Sequence, residues 1–390
     1  MSWQQTTLGE IADIVSGSTP KSSVPRYWDG AVAWATPTDL SRLDGKHLDK
    51  TDRTITEAGL NECSARLLPP GSVLFSSRAP IGLVAINTTP MATNQGFKSF
   101  VPRPDVNADY LYWWLRANRR QLEDLGNGAT FKEVSKAVVS RVKFPLPPLD
   151  EQRRIAAILD KADAIRRKRE QALTLADDFL RSVFLEMFGD PVNNPLNWPL
   201  ATLGEICSKI TDGTHDTPPR QSSGFMFLTG KNIRPFRIDT QTLEFVSEEV
   251  HREIFRRCNP EFGDVLFTNI GAGTGNAVFN ELTVEFSMKN VALLKPDSSR
   301  TNGRYLESLL NHDGFKDQLL GRFGQGGAQG FLGLKTIKSI EVPLPPVELQ
   351  DRFYSAVEKT KILSSKVRNA LNFDKDLFSA LSQRAFAGEL

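Results

Sequence analysis

Cysteine is scarce in this 390-residue chain: Cys63, Cys207 and Cys258 stand far apart, an odd number with no close spacing. That argues against a disulfide framework and against a structural zinc site, both of which need clustered cysteines. Histidine is nearly as rare, and His47, His215, His251 and His312 form no helical metal pair and flank no nucleophile motif. Excess charge of one sign is missing too, with 48 Lys and Arg against 46 Asp and Glu, a formal net charge of +2. Binding to a polyanion must then come from local basic clusters and not from a global positive field. Long apolar runs are absent, and the opening Met1-Ser2-Trp3-Gln4-Gln5 has no basic-then-apolar pattern, so a cytoplasmic chain without a membrane span is expected. What the chain does have is 40% hydrophobic residues and no long polar tract, enough for real cores. Its length suits two domains with connecting elements.

The two halves of the sequence repeat each other. Trp3 and Leu8-Gly9-Glu10-Ile11 recur 195 residues on as Trp198 and Leu203-Gly204-Glu205-Ile206. Gly71-Ser72-Val73-Leu74-Phe75 recurs as Gly263-Asp264-Val265-Leu266-Phe267, and Asp109-Tyr110-Leu111 as Arg304-Tyr305-Leu306. Phe144-Pro145-Leu146-Pro147-Pro148 is matched by Val342-Pro343-Leu344-Pro345-Pro346, after which Gln152 meets Gln350. Collinear matches with a slowly drifting offset are the signature of a duplicated unit.

Each unit reads as a mixed region followed by one long helix. Val73–Phe75, Leu83–Ile86 and Val138–Phe144 are strand-like, and Asp109–Leu125 reads as a helix with Asp109 as N-cap and Gly126 as its stop. The Pro-Leu-Pro-Pro runs are helix starts, because proline suits a first turn and not an interior. An apolar seam follows at 155, 158, 162, 165, 172, 176, 179 and 183, broken by Arg169. Its counterpart runs through Phe353, Ala356, Thr360, Leu363, Val367, Ala370, Leu377 and Leu381, interrupted by Asp374. A helix of roughly 38 residues, about 57 Å long, cannot bury such a stripe alone. It lies either on its own globular part or against the other helix, and the equal lengths favour antiparallel pairing. The expected divisions are 1–144, 145–190, 191–341 and 342–390.

Two related but divergent modules on a rigid spacer predict a bipartite, non-palindromic DNA target, since B-DNA presents the same face every ~34 Å. Lengthening both helices by two turns should then lengthen the gap between half-sites. Arg and Lys match guanine acceptors, and Asn and Gln match the adenine edge. Such side chains recur at matched turns: Ser76, Ser77, Arg78, Asn94, Gln95 and Lys98 in the first copy, with Lys21 and Lys132; Lys231, Asn232, Arg234, Asn269, Lys289 and Asn290 in the second, with His215. Solvated loops use the same residue types, so it is their recurrence as sets that carries the reading. Glycine-rich stretches, Gly126–Lys132 and Gly324–Phe331, would let backbone approach a phosphate or base. Arg166-Arg167-Lys168-Arg169 is either a solvated helix face or a contact for phosphate or an acidic partner.

Enzyme readings find little support. A methyltransferase needs an Asn/Asp-Pro-Pro-aromatic tetrad, and Asn194-Pro195-Leu196-Asn197 lacks the second proline and the aromatic. Gly271–Gly275 leads into a strand-like run and not a helix, so it cannot cradle a phosphate at a helix start and reads as a hairpin turn. Gly224–Lys231 is a misspaced P-loop. His215-Asp216 reads as a DNA-facing turn and not as an acid-base dyad. The competing non-enzyme reading is a coiled-coil scaffold whose globular parts grip peptides.

The chain resembles the specificity subunits of type I restriction-modification systems. The resemblance covers essentially the full length and rests on the repeated Leu-Gly-Glu-Ile, on Gly17-Ser18-Thr19-Pro20 with Trp34, on Ser76–Gly82, on Asn94-Gln95-Gly96 and on Pro145–Ile155. In the second copy Asp212-Gly213-Thr214-His215, Pro343–Gln350 and the closing Gln383–Leu390 carry it. The resemblance implies an α+β chain of two tandem mixed α/β target recognition domains, separated by two long helices in an antiparallel coiled coil with a pseudo-twofold internal repeat. It implies sequence choice without catalysis and no cofactor in this chain, with S-adenosylmethionine held by partners. The implied partners are double-stranded DNA, two modification subunits and restriction motor-nuclease subunits. Leu149, Glu151, Gln152, Ile155, Gln350 and Phe353, at the helix starts, become the expected partner contacts. The second copy departs at Thr268–Gly275, where base-reading loops should diverge, and in having Leu349 for Glu151.

Overall fold

The computed structural model describes residues 3–127, 132–271, 273–323 and 331–390. The chain divides into two compact units. One holds Met1–Glu170 with Asn369–Leu390, the other Gln171–Arg368. Each unit thus combines one mixed α/β module with stretches of both long helices, Leu149–Phe188 and Val347–Ala387.

The repeated Leu-Gly-Glu-Ile is one helical turn closed by a capping box. Glu10 Oε2 accepts from the Thr7 backbone N–H at 2.9 Å, and Glu205 does the same for Thr202 at 2.7 Å. Leu8, Ile11, Leu203 and Ile206 then point into the cores. In the first unit a five-stranded sheet runs in the order Ala12–Ser16, Lys98–Pro102, Val73–Phe75, Val84–Asn87, His47–Leu48. A second sheet pairs Thr54–Ile55 and Met91–Thr93 on either side of Trp28–Ala35. The second unit repeats this design with Cys207–Asp212, Val291–Pro296, Val265–Thr268 and Ala277–Phe279 in one sheet. Its other sheet sets Phe225–Thr229 between Glu244–Val246 and Phe286–Lys289.

The helix following the sheet differs from the sequence expectation. Asn107, not Asp109, caps it by accepting from the Tyr110 N–H at 2.9 Å, and the helix breaks after Ala117 before a short continuation at Arg119–Asp124. The expected strand at Val138–Phe144 begins as helix, Lys136–Ser140, and is extended only at its end, in Lys143–Pro145. Ser135 explains this: its hydroxyl caps the Val138 N–H and starts a turn in spite of the β-branched run. Gly271 and Gly273–Gly275 lie between antiparallel strands in which Phe267 faces Ala277, as expected of a hairpin turn.

Both long helices start as expected, just after the prolines. In each, a buried glutamine ties the start to its module. Gln152 Oε1 accepts from Asn107 N–H at 2.8 Å while Nε2 donates to the Pro147 carbonyl at 2.9 Å. Gln350 repeats this with Asn302 at 3.1 Å and Pro345 at 2.9 Å. Antiparallel pairing is visible inside each unit. In the first, Arg154 donates to the Leu390 carbonyl at 3.0 Å, and Arg169 meets Asp374 at 2.5 Å and the Ala370 carbonyl at 2.8 Å. In the second, Phe184 and Phe188 pack on Phe353 with ring centroids 5.6 and 5.4 Å apart. The seam is displaced from the expected one. Leu159, Phe184, Val357 and Leu371 are buried, whereas Leu363 and Phe373 are 62% and 66% exposed. Apolar residues occupy two neighbouring stripes, and module packing selects between them.

Candidate nucleic-acid interface

In both modules a glycine allows two strands to cross at a distance no side chain would permit. A Cβ on Gly17 would lie 1.8 Å from the Asn94 carbonyl oxygen, and one on Gly213 would lie 1.9 Å from that of Met288. The crossing sets Asn94 and Asn290 at corresponding places, where the chain leaves one strand and enters the next. Beside each lies a second repeated lock. Thr36 N–H and hydroxyl donate to one Asp39 oxygen at 2.7 and 2.5 Å, and those of Thr229 donate to Asn232 Oδ1 at 2.9 and 3.0 Å. A third common element is the bridge joining the turn after the central strand to the loop before the last helix turn. Val134 N–H donates to the Ser77 carbonyl at 2.9 Å, and Leu332 N–H to that of Asn269 at 2.8 Å.

On this shared frame the exposed chemistry differs. The first module forms an open cleft of about 540 Å³ lined by Thr36, Thr38, Arg42, Arg53, Arg78 and Asn94 among others. Arg53 extends over two indoles, its guanidinium carbon 4.0 Å from the Trp28 ring centre and 5.2 Å from that of Trp34. Stacking holds the planar fork in place while its N–H donors remain exposed. Arg78 sits 3.8 Å from Glu133, and Arg42 pairs with Asp52 at 2.9 Å. Gln95 is exposed and accepts from the Thr19 hydroxyl, while Asn94 Oδ1 accepts from the Gly96 N–H at 2.9 Å. In the second module His215 stands between Asp212, 2.8 Å from Nε2, and Asn290, 3.3 Å from Nδ1. Lys289 reaches the Thr217 hydroxyl, and Lys231 and Arg234 are exposed.

Several residues expected at an interface are buried instead. Ser76 accepts from the Leu83 N–H at 2.8 Å and donates to the Pro80 carbonyl at 2.7 Å, and Ser77 donates to the Gly96 carbonyl at 3.1 Å. Lys98 is turned inward to Glu133 at 3.2 Å, Asn232 is the hub of its own loop, and Asn269 is buried. At the helix starts Gln152, Ile155, Gln350 and Phe353 are all inside cores, while Leu149 and Glu151 are half-buried, Glu151 pairing with Arg154 at 2.6 Å. Short polar side chains in tight turns satisfy backbone groups that would otherwise be orphaned, and that requirement draws them inward. Lys21 and Lys132 are exposed. Of the two glycine-rich stretches, 128–131 and 324–330 lie outside the described residues.

Three of the four residues in the basic run on the first long helix are engaged in ion pairs, while Lys168 is exposed. Arg166 pairs with Asp163 at 2.7 Å and Glu170 at 2.8 Å, Arg167 with Asp163 at 3.0 Å and Asp44 at 3.3 Å, and Arg169 with Asp374. Arg42 and Arg53 were not anticipated from the sequence. The spacing of Trp28 and Trp34 could not have revealed them, because the strand register breaks between Trp28 and Val32 and parity no longer fixes which face each ring takes. Among the described residues no group of three or more His, Cys, Asp or Glu is placed to hold a metal ion. Among them, too, no helix is long and apolar enough to cross a membrane.

The comparisons with known proteins agree with this geometry. Residues 1–175 match the family model described as type I restriction modification DNA specificity domain. The chain is 27% identical to the type I restriction enzyme MjaIX specificity subunit of Methanocaldococcus jannaschii, covering 95% of this chain and 91% of that one. It is 23% identical to the EcoKI specificity subunit of Escherichia coli, over 90% and 81% of the two chains. In fold it is similar to the crystal structure of a type I restriction-modification S subunit from M. genitalium, with a TM-score of 0.62 at 15% identity, covering 99% and 96% of the two chains. With its repeated modules, its paired helices and this likeness over nearly the whole length, the chain is similar to the specificity subunits of type I restriction-modification systems.

Proposed function

We propose that this chain selects a split, asymmetric DNA sequence for a type I restriction-modification complex, each module reading one half. The supporting observation is one frame carrying two chemistries. The Gly17 and Gly213 crossings and the Thr36–Asp39 and Thr229–Asn232 locks recur, while the exposed sets on them do not match. Arg42, Arg53, Arg78, Asn94 and Gln95 serve the first half-site, with Lys21 and Lys132 at phosphates. His215, Lys231, Arg234, Lys289 and Asn290 serve the second. Ser76, Ser77, Lys98, Asn232 and Asn269 hold the reading loops in shape, and Gln152, Ile155, Gln350 and Phe353 fix helix to module. Leu149 and Glu151 remain the surface at the first helix start that a partner can touch. Two modification subunits that bind S-adenosylmethionine supply adenine-N6 methylation, and motor-nuclease subunits supply cleavage. This chain contributes sequence choice alone, in the cytoplasm.

The test maps methylated adenines in a genome carrying this chain with its modification subunit. It then repeats the mapping after residues 1–144 are exchanged for those of a relative. One half-site should change and the other persist. A target in which both halves change, or methyl transfer by the purified chain alone, overturns the reading.

A further inference from the structure

Between Ile233–Arg234 and Arg237–Ile238 the second module carries a small hairpin with Arg234 opposite Arg237. Its two connecting residues are Pro235 and Phe236. Proline fixes a negative φ at the first, and Phe236 takes φ +63° at the second, the pattern of a turn that ordinarily places glycine there. A bulky residue in the left-handed region is a strained choice, of a kind that clusters where proteins bind or react. Here the strain is not repaid by burial: Phe236 is 41% exposed.

The surroundings hold the backbone of the turn in place. Phe236 N–H donates to the Ala277 carbonyl at 3.3 Å, and Asn276 donates to the Ile233 carbonyl at 3.2 Å. Asn232 ties both ends of the hairpin together, accepting at its carbonyl from the Asp239 N–H at 2.7 Å and donating from its amide to the Asp239 carbonyl at 2.9 Å. Ile233 is fully buried beneath. Lys231, Arg234 and Arg237 are exposed on or beside the same hairpin, and Asp239 stands 3.9 Å from Arg234. In the first module the corresponding lock at Thr36–Asp39 opens the helix Pro37–Arg42.

A rigid, cation-flanked tip that keeps an aromatic ring in water at a cost in backbone strain suits a duplex. Phosphates meet the cations, and the ring replaces a base–base stack with a base–ring stack. We infer that Phe236 is a wedge that inserts between adjacent base pairs of the half-site read by the second module and unstacks that step. The inference rests on the DNA-reading function proposed above and adds a specificity device to it. Steps that unstack easily would be preferred at that position without any hydrogen bond to their edges.

The test uses the full chain with its modification subunits and duplexes carrying the mapped methylation site, with 2-aminopurine placed at each position in turn. Apart from the methylated adenines, which the modification subunits flip out themselves, the wild type should raise fluorescence at one further step, in the half-site of the second module. Phe236→Gly relieves the strained φ, so its thermal stability should be equal or higher. Yet it should lose the fluorescence rise and bind the site on the order of tenfold or more weakly, the range of a lost base–aromatic stack. Phe236→Trp should restore both. Site binding by the wild type with flat fluorescence outside the methylated adenines, or undiminished binding by Phe236→Gly, overturns the wedge and leaves the reading function standing. A wild-type complex that binds no duplex overturns both.

Discussion

Arg304 is among the most deeply buried charges in the chain, and replacing it should unlock the second unit in a pH-dependent way. Its guanidinium stacks 4.0 Å from the Phe279 ring centre and pairs with Glu307 at 3.1 Å, Glu358 at 2.6 Å and Glu281. Glu281 and Glu358 are 46% and 36% exposed and can be rehydrated when the arginine is lost. Glu307 is 3% exposed and cannot. Burial already pushes its carboxyl above the usual glutamate range, opposed by Arg304 and by the Phe279 N–H. Removing one partner of a buried pair costs about 3–5 kcal/mol because the other is left uncompensated. Arg304→Leu should lower the stability of the second unit by about that amount at pH 8. The deficit should shrink as the pH falls. A carboxyl whose folded pKa is raised contributes full stability below its unfolded value and loses it as pH rises through the folded one. The assay is urea unfolding at pH 5 and pH 8, with hydrogen exchange of residues 303–310 to localise the effect. Arg304→Leu with Glu307→Leu should recover most of the loss. A double variant as unstable as the single one, or an equal deficit at both pH values, would refute the argument.

Three further outcomes follow from the same structure. Arg53→Ala should weaken site binding several-fold, and only mismatches in the half-site of the first module should then be better tolerated, whereas Lys231→Ala should weaken binding for all sequences and reduce the salt slope by about 1, measured by titration at several ionic strengths. Gln152→Leu and Gln350→Leu should each lower the melting temperature of the isolated chain through about 1–3 kcal/mol of orphaned backbone groups, and an unchanged melt with lost partner binding would reverse the structural role given to them. Burial pushes the thiols of Cys207 and Cys258 up to about 12 and about 11, so an alkylating reagent at pH 8 should modify half-buried Cys63 well before either, as peptide mapping would show.

The duplication was legible because it is written in residues with fixed local duties. Leu-Gly-Glu-Ile is a capping box, Pro-Leu-Pro-Pro starts a helix, and each leaves the same mark twice. The placement of helix starts and of the hairpin at Gly271–Gly275 followed from similarly local chemistry. What failed depended on tertiary choice. Val138 and Val139 look like a strand, yet one serine hydroxyl turns them into helix. The apolar seam of the long helices had two candidate stripes, and only the folded structure shows Leu371 buried and Leu363 exposed. Residue type alone also does not reveal exposure: Ser76, Asn232 and Lys98 have the chemistry of base contacts but are buried and bonded within their own module. Conversely, Arg53 and Phe236 lie outside the recurring sets, and their exposure comes from a stack and a turn that only coordinates reveal.

The first unit is assembled from two stretches far apart in the chain. Trp3 donates from its indole to the Ala385 carbonyl at 3.0 Å, and Phe378 and Phe386 lie against Trp113 and Tyr110. The second unit, by contrast, is one uninterrupted span. During synthesis the module made first must therefore wait, its aromatic face uncovered, until residues 369–390 leave the ribosome. The module made later can close ahead of it. A nascent chain stalled before residue 369 would lack the rings of Phe378 and Phe386 that pack on Trp113 and Tyr110 in the folded unit.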